Sequence, residues 1–259
     1  MAAASKTTQE ERIEMASTAC CAAGPPVACD YTPKGSISKI GDVDTYFIGS
    51  GPKAIVVVYD IFGFSKQTKQ VCDMFAAAGF NVAMPDFCKG KEWLVENFPP
   101  EDKSELGAWF STTGKWETSI RPTFLAAVAH MKEHKGAEVV GVTGFCWGGM
   151  IAMKAASLGA DAEGGVKAGG NVHPAMLSAE LAEDVKVPML IMPSGEDPDH
   201  LPVKEVLDKK PFGDKCQYRR FDDMHHGFCA ARGDWNIPEQ ATRASEAIDT
   251  FVKFFHANL

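Results

Sequence analysis

The hydrophobic residues of the chain form two kinds of pattern that alternate along most of its length. Continuous apolar runs rich in β-branched residues predict strands that are buried on both faces. Segments with apolar residues three and four positions apart lie between these runs and predict helices. The predicted strands are residues 54–59, 80–85, 138–143, 166–172, 187–193 and 215–221, and the clearest helices are residues 66–78, 121–135 and 238–256. Strands that alternate with helices favour a mostly parallel central sheet flanked by helices on both faces, so the predicted fold class is α/β.

The N-terminal part of the chain is predicted to differ from the rest. It is rich in Ala, Ser, Thr and Pro and carries a Gly-Pro-Pro breaker, so residues 1–34 are predicted to be a flexible extension. Two short alternating runs, 36–40 and 43–48, flank a Gly-Asp pair and predict a β-hairpin. Because no internal repeat or linker follows, residues 35–259 are predicted to form a single domain.

The stretch from residue 87 to residue 116 breaks the alternation of strands and helices. It contains glycines, a Pro-Pro pair and tryptophans at positions 93, 109 and 116. We interpret it as an insertion with short helices that packs over one end of the sheet. Tryptophans in such a segment serve as core residues or as a platform for substrate, and Trp93 is the one that we predict to contact substrate.

The charge balance narrows the classes of partner. The net charge is −8, so neither nucleic acid nor a membrane surface is an expected partner. No apolar stretch has the length of a transmembrane helix, and the N-terminus has no apolar signal region. We therefore predict a cytoplasmic protein whose eight cysteines are reduced thiols. No set of Cys and His residues has zinc-site spacing, so neither a metal nor a cofactor is predicted.

One predicted strand ends in a motif with chemical meaning. Residues 138–143 run into Gly-Phe-Cys-Trp-Gly-Gly at positions 144–149, and a helical segment follows at once. A strand, a sharp glycine-flanked turn and a helix are the context of a nucleophile elbow, with Cys146 where serine is usual. The alternatives for Cys146 are a small core residue and a redox-active thiol.

Three other predicted strands also end in polar residues. Asp60 follows the first of them, Asp197 and Asp199 follow another, and His226 follows the last. Ligands of open α/β sheets bind outside the carboxyl ends of the strands, so these side chains are expected near Cys146. Along the chain the order is nucleophile, acid, histidine, which is the order of the α/β-hydrolase fold.

Thiol chemistry explains why these residue types belong together. A free thiol has a pKa near 8.5, so Cys146 needs a base or a helix N-terminus to become a thiolate. His226 is the predicted base, and an acid would fix its tautomer. The predicted oxyanion donors are the backbone N–H groups of Trp147 and Ile61. A capping or core role is the alternative for His226, and His225 is expected to point the other way.

Together the motifs of this chain resemble those of the dienelactone hydrolase (carboxymethylenebutenolidase) family. They are Asp60-Ile61-Phe62-Gly63, Ala78-Gly79-Phe80 with Met84-Pro85-Asp86-Phe87, Gly144-Phe145-Cys146-Trp147-Gly148-Gly149, His173-Pro174 and His226-Gly227-Phe228. The resemblance runs from about residue 35 to residue 257. It implies an α/β-hydrolase fold and a Cys-Asp-His triad that opens lactones or esters through a thioester. It also implies that Asp60 activates the cysteine, where bacterial members have the longer glutamate; the alternative is a cap of the next segment.

Two aspartates compete for the role of the triad acid. The family pattern places the acid three or four residues after a glycine, with a proline often three or four residues further on. Asp199 lies four residues after Gly195 and three before Pro202, whereas Asp197 lies only two after the glycine. The Asp199-His200 pair also looks like one branch of the family, so we predict Asp199 and keep Asp197 as the alternative.

The resemblance also suggests which residues contact substrate. We predict that Phe62, His173 and Phe228 do so together with Trp93, with a structural turn as the alternative for His173. Bacterial members hold a substrate carboxylate with arginines, but Arg232 and Arg121 lie in other contexts, so an anionic dienelactone is not the expected substrate.

The predicted function is hydrolysis of small esters or lactones through a cysteine nucleophile, by a monomer or homodimer. One alternative is a thioesterase or glycan-ester-type hydrolase whose pocket is shaped by the insertion. A second alternative is a non-catalytic thiol redox or binding protein on the same fold.

Overall fold

The computed structural model describes residues 24–162 and 164–259, and a single eight-stranded sheet forms their centre. The strands are β1 (Ser36–Ile40), β2 (Val43–Ile48), β3 (Lys53–Val58), β4 (Asn81–Pro85), β5 (Val139–Phe145), β6 (Ala168–Val172), β7 (Met189–Met192) and β8 (Gln217–Tyr218). Their order across the sheet is β1-β2-β4-β3-β5-β6-β7-β8. The predicted hairpin β1–β2 and the β2–β4 pair are antiparallel, and every later pair is parallel.

Seven α-helices and three short helical segments connect the strands of the described chain. The α-helices are α1 (Lys66–Ala77), α2 (Lys103–Ser111), α3 (Arg121–His134), α4 (Trp147–Ala156), α5 (Ala179–Glu183), α6 (Leu201–Asp208) and α7 (Pro238–Asn258). The short segments are 3₁₀ turns at Val95–Asn97 and Gly213–Lys215 and a π-helical turn at Trp116–Ile120. Among the described residues, no helix combines the length and the apolar character that a membrane crossing requires.

Helices cover both faces of the sheet. A Cβ on Gly170 in β6 would meet the Phe251 ring of α7, whereas the next residue, Asn171, faces Gly149 of α4. Successive strand residues point to opposite faces, so α7 and α4 lie on opposite sides of the sheet. Helix α1 joins α7 through the Phe75 ring, which is 5.9 Å from the ring of Phe251. The predicted α/β class with helices on both faces is confirmed.

The core lies at the central strands. The side chains of β3 from Ala54 to Val58 are inaccessible to solvent, as expected for a strand covered on both faces. The insertion from 87 to 116 packs its aromatic residues against the end of this region. The Trp93 N–H donates to the carbonyl oxygen of Ile61 at 2.8 Å, and the Trp109 ring meets the Trp147 ring at 5.3 Å. The insertion therefore lies over the loop after β3 and the start of α4.

The segment before β1 is tied to the rest of the fold. The Val27 N–H donates to the carbonyl oxygen of Ala231 at 3.1 Å. The Tyr31 hydroxyl and the Lys34 N–H donate to the buried carboxylate of Asp73 at 2.7 and 2.8 Å. The sequence predicted a flexible extension over residues 1–34, and these long-range bonds correct that prediction for residues 24–34. Residues 1–23 lie outside the described part of the chain.

Candidate active site

The turn between β5 and α4 has the geometry of a nucleophile elbow. A Cβ on Gly144 would overlap the backbone of Gly148, and a Cβ on Gly148 would overlap the carbonyl oxygen of Val58. Only glycine fits at either position, because strand, turn and helix approach each other this closely. Cys146 lies at the top of the turn with φ 55° and ψ −120°.

The backbone of Cys146 is in a strained region, which costs about 1–3 kcal/mol and persists only where neighbours over-determine it. Its carbonyl oxygen accepts from the N–H groups of Gly149 and Ala175, both at 2.9 Å. The first bond closes the turn, and the second fixes it against the loop after β6. Cys146 is 2% exposed and precedes the first residue of α4, so the positive end of the helix lies at the cysteine.

The loop after β3 lies against the start of α4. Because residue 148 has no side chain, α4 approaches the carbonyl oxygens of both Val58 and Tyr59. The loop turns sharply at Asp60, whose carboxylate accepts from the Phe62 N–H at 2.9 Å. Ile61 therefore lies on a tight turn that directly follows the residues contacted by α4. The role of the Ile61 and Trp147 N–H groups as oxyanion donors stays a prediction.

His226 is held by an aspartate, but not by the one that we predicted. His226 Nδ1 lies 2.5 Å from Asp197 Oδ1, with both side chains inaccessible to solvent. The other carboxylate oxygen of Asp197 accepts from the Ser194 N–H at 2.6 Å. Burial raises the pKa of the Asp197 carboxyl, but the charge of His226 and these hydrogen bonds outweigh it, so the pKa is lowered. Asp197 therefore remains a carboxylate next to the histidine.

The prediction of Asp199 as the acid is corrected by this geometry. Asp199 is exposed, and its carboxylate accepts from the Leu201 N–H at 2.9 Å at the start of α6. The loop after β7 folds back after Ser194, which directs the Asp197 side chain inwards and leaves Asp199 outside. The family spacing that favoured Asp199 did not account for this turn.

Arg220 stabilises the loop after β7 that carries Asp197, which we call the acid loop. The sequence analysis missed this role. Its guanidinium donates to the carbonyl oxygens of Gly195 at 3.1 Å, Asp197 at 2.9 Å and Pro198 at 3.3 Å. It also pairs with Asp222 at 2.9 Å. One planar side chain thus fixes three carbonyls around the acid, a use for which arginine is suited. The only sequence signal was an arginine at the end of the last predicted strand, close before His226.

His173 connects the elbow to the histidine. Its buried ring lies 5.9 Å from the Phe145 ring and 5.2 Å from the His226 ring. Burial and the neighbouring charge of His226 hold the pKa of His173 well below its usual value, so the ring is neutral. Since His173 precedes Ala175, which bonds to Cys146, the loop after β6 brings the elbow and the Asp–His pair together.

The predicted substrate-contacting residues divide into two groups. Phe228 is fully buried and packs on His173 and Phe221 at 5.7 and 5.3 Å, so it and His173 belong to the packing around His226. That these two buried rings contact substrate stays a prediction. Phe62 and Trp93 instead lie beside Ile61, and a cavity of about 320 Å³ reaches the Phe62 side chain.

Asp60 is buried and accepts two backbone hydrogen bonds. Besides the Phe62 N–H, its carboxylate accepts from the Ala231 N–H at 3.0 Å. It thereby joins the loop of Ile61 to the segment that follows His226. Its activation of Cys146 stays a prediction. Within residues 24–162 and 164–259, no three His, Cys, Asp or Glu side chains are grouped so that they could hold a metal ion.

A mostly parallel sheet with a nucleophile elbow after β5, an acid loop after β7 and a histidine after β8 defines an α/β-hydrolase. The structure is similar to a putative dienelactone hydrolase from Klebsiella pneumoniae, with a TM-score of 0.62 at 17% identity over 86% of this chain and 98% of that one. The family model for the dienelactone hydrolase family matches residues 44–259. The chain therefore belongs to the dienelactone hydrolase family and is a hydrolase.

The chain is also similar to proteins from fungi and animals over most of its length. An uncharacterised AIM2 family protein of Schizosaccharomyces pombe is 32% identical over 238 residues, which are 88% of this chain and 92% of the relative. A carboxymethylenebutenolidase homolog of Mus musculus is 28% identical over 248 residues, 89% of this chain and 96% of the relative.

Proposed function

We propose that the chain hydrolyses small esters or lactones with Cys146 as nucleophile, His226 as general base and acid, and Asp197 as the acid that orients the histidine. The observation that carries the proposal is the buried Asp197–His226 pair at 2.5 Å, joined through His173 to the strained elbow of Cys146. Membership of the dienelactone hydrolase family and the carboxymethylenebutenolidase name of the mouse relative support this substrate class.

The first half of the reaction forms a thioester. His226 Nε2 takes the proton of the Cys146 thiol, and the helix N-terminus favours the resulting thiolate. The sulfur attacks the carbonyl carbon of the substrate, and the oxygen becomes negatively charged. The N–H groups of Trp147 and Ile61 hold that oxyanion. As the C–O bond to the alcohol breaks, His226 returns the proton to the leaving oxygen.

The second half regenerates the enzyme. A water molecule gives its proton to His226 and attacks the thioester carbon, and the same N–H groups hold the second oxyanion. The C–S bond then breaks, a carboxylic acid leaves, and the sulfur recovers the proton from His226. In a lactone the alcohol and the acid belong to one molecule, so the product is a hydroxy acid. Asp197 keeps Nδ1 protonated throughout, so that Nε2 serves as the base.

The test compares the wild type with Cys146→Ala and Cys146→Ser on p-nitrophenyl acetate and a lactone panel. We expect Cys146→Ala to fall to the uncatalysed rate and the wild type to show an acyl adduct on Cys146 by mass spectrometry under rapid quench. Equal turnover by wild type and Cys146→Ala contradicts the proposal. Background turnover by the wild type, together with an oxidisable Cys146, favours the thiol redox alternative instead.

A further inference from the structure

A cavity that the proposed reaction does not use lies beyond the end of β4. Its volume is about 590 Å³, which is within the range of small-molecule sites. Its walls come from the loop after β4, the end of α2 and the segment from the π-helical turn to the start of α3. None of Cys146, Asp197 and His226 lines it. We call it the lysine pocket, and the lining residues that define its chemistry are Lys89, Lys91, Thr113, Lys115, Thr118 and Thr123.

Hydrogen bonds between its walls fix the shape of the lysine pocket. The indole N–H of Trp109 in α2 donates to the carbonyl oxygen of Lys91 at 2.8 Å, which joins α2 to the loop after β4. The Ser119 hydroxyl donates to the carbonyl oxygen of Thr112 at 2.6 Å, which joins the π-helical turn to the end of α2. Because these bonds fix the walls, binding in the pocket costs little ordering of the chain.

The charge of the lysine pocket is opposite to that of the chain. The chain has 34 Asp and Glu residues against 26 Lys and Arg, yet the described lining residues include three lysines and no Asp or Glu. Lys89 pairs with Asp42 at 3.3 Å, and both side chains are exposed, so the pair is weak. Lys91 and Lys115 have no carboxylate partner among residues 24–162 and 164–259. An anion in the pocket therefore meets positive charge.

The acidic residues that are close to the lining in sequence are engaged elsewhere. The Asp86 carboxylate accepts from the Tyr59 hydroxyl at 2.7 Å. Glu117 pairs with Lys154 at 2.9 Å, and the Glu92 side chain lies against the loop after β3. None of these three carboxylates pairs with a lysine of the pocket, so the ammonium groups there remain available to a ligand.

Thr123 supplies a hydrogen-bond donor that is built into the wall of the pocket. It lies in the first turn of α3 and is only 7% exposed. Its hydroxyl has no hydrogen-bond partner in the part of the chain that the structure describes. The neighbouring hydroxyls of Ser111, Thr112 and Ser119 each donate to a backbone carbonyl oxygen instead. Since an unsatisfied buried hydroxyl costs free energy, a ligand oxygen that accepts from Thr123 is favoured.

We propose that the lysine pocket binds the phosphate group of a small molecule, at a site separate from the proposed catalytic residues. A phosphate group carries about two negative charges and three acceptor oxygens. These match the ammonium groups of Lys91 and Lys115 and the hydroxyl of Thr123. A carboxylate has a single charge and two coplanar oxygens, which suit the planar guanidinium of arginine, and none of the described lining residues is an arginine.

The first test measures binding to the wild-type protein by isothermal titration calorimetry at constant ionic strength. The probes are inorganic phosphate, glycerol 3-phosphate and adenosine 5′-monophosphate, with glycerol and adenosine as their counterparts without phosphate. We expect saturable binding at one site for the phosphate-bearing probes and none for the counterparts. Tighter binding of a phosphate ester than of inorganic phosphate identifies a phosphorylated small molecule, and the reverse order identifies the free ion. If none of the three phosphate-bearing probes binds saturably, the proposal is wrong.

The second test locates the binding with variants whose folding is checked by circular dichroism. Changing both Lys91→Gln and Lys115→Gln should weaken phosphate binding by about tenfold or more. The matched control changes Lys103→Gln and Lys132→Gln, two exposed lysines outside the lining. Thr123→Val should weaken binding by about fivefold or more, whereas Thr123→Ser keeps the hydroxyl and should stay within about twofold of the wild type. Equal weakening in the control pair, or wild-type affinity in Thr123→Val, means attraction by surface charge alone and overturns the assignment.

Discussion

The turn that carries Cys146 and the loop that carries Asp197 are held by contacts of different range. At the elbow a decisive steric relation is local, since a Cβ on Gly144 would overlap the backbone of Gly148 four residues later. The acid loop depends on residues more than twenty positions later. The Gly195 N–H donates to the Met224 carbonyl oxygen at 2.9 Å, and the Arg220 guanidinium donates to three carbonyl oxygens of the loop. A locally encoded turn can be recognised from a motif, whereas a loop braced at long range cannot.

The largest expected effect comes from filling the space inside the elbow. In Gly144→Ala the added methyl group would overlap the backbone of Gly148. We therefore expect a loss of several kcal/mol of unfolding free energy, or no folded protein. Gly79→Ala is the control, because Gly79 has φ 94° but no heavy atom within 4 Å of the added Cβ. It should cost only the strain of a left-handed backbone, about 1–2 kcal/mol. Urea unfolding compares the two, and equal losses contradict a steric origin.

The next effect tests which aspartate serves the histidine. Asp197→Asn keeps the shape but removes the charge at Nδ1, so kcat should fall by about 10³–10⁴-fold. Asp199→Asn should stay within about twofold, because asparagine also caps a helix. Steady-state kinetics on p-nitrophenyl acetate measures both. A comparable loss in Asp199→Asn would restore that residue as the acid.

A smaller effect concerns the hydrogen bonds from Arg220 to the acid loop. Arg220→Ala releases three carbonyls of the acid loop, and a displaced acid costs about 10–100-fold in kcat. Arg220→Lys should recover only part of the lost kcat, because lysine lacks the planar guanidinium that donates to several carbonyl oxygens at once. Arg219→Ala is the adjacent control, since Arg219 bonds to Glu246 and Thr250 instead.

A purely structural loss would lower the yield of active enzyme without changing how activity depends on pH. We expect Arg220→Ala also to shift the pH at which kcat/KM is half-maximal to lower values, because a poorly oriented Asp197 stabilises protonated His226 less. An unchanged pH profile, or an equal kcat loss in Arg219→Ala, contradicts the positioning role.

The smallest effect concerns stability against pH. His173 is neutral in the fold because its pKa lies well below the usual value, whereas the unfolded chain binds a proton near pH 6.5. Below that pH the unfolded state holds more protons, so stability falls by up to about 1.4 kcal/mol per pH unit from this group. Buried His200, whose pKa is also lowered, adds a loss in the same window.

His173→Phe should therefore lose less stability than the wild type between pH 7 and pH 5. Urea unfolding at several pH values gives the two slopes, and circular dichroism checks that the variant is folded. Equal slopes in the two proteins would mean that protonation of His173 does not lower the free energy of unfolding.

The sequence predicts the central strands well, because their burial dictates their composition. The run 54–59 corresponds to Lys53–Val58 and the run 138–143 to Val139–Phe145. The last strand is shorter than predicted, with only Gln217–Tyr218 in place of 215–221. It is at the edge of the sheet with one neighbour, and beyond it the pairing continues only as single backbone bonds, from the Arg219 N–H to the Ile191 carbonyl oxygen at 3.0 Å and from the Phe221 N–H to the Pro193 carbonyl oxygen at 2.8 Å.

In the candidate site, too, the part that depends on local sequence is predictable and the rest is not. Cys146 could be singled out because its flanking glycines are required by the turn itself. Asp197 and Asp199 are chemically identical and two residues apart, and only the fold of the loop around Ser194 separates them. Neither that fold nor its support by Arg220 leaves a local pattern in the chain.

The bonds of the segment before β1 bear on where the folding unit begins. Tyr31 and Lys34 supply two of the hydrogen bonds to the Asp73 carboxylate, and Tyr46 supplies another at 2.5 Å. A recombinant protein trimmed to the first strand would keep only the last of these and would leave a buried carboxylate short of donors. The practical N-terminal boundary for expression or domain fusion is therefore before Tyr31, not at Ser36 where β1 starts.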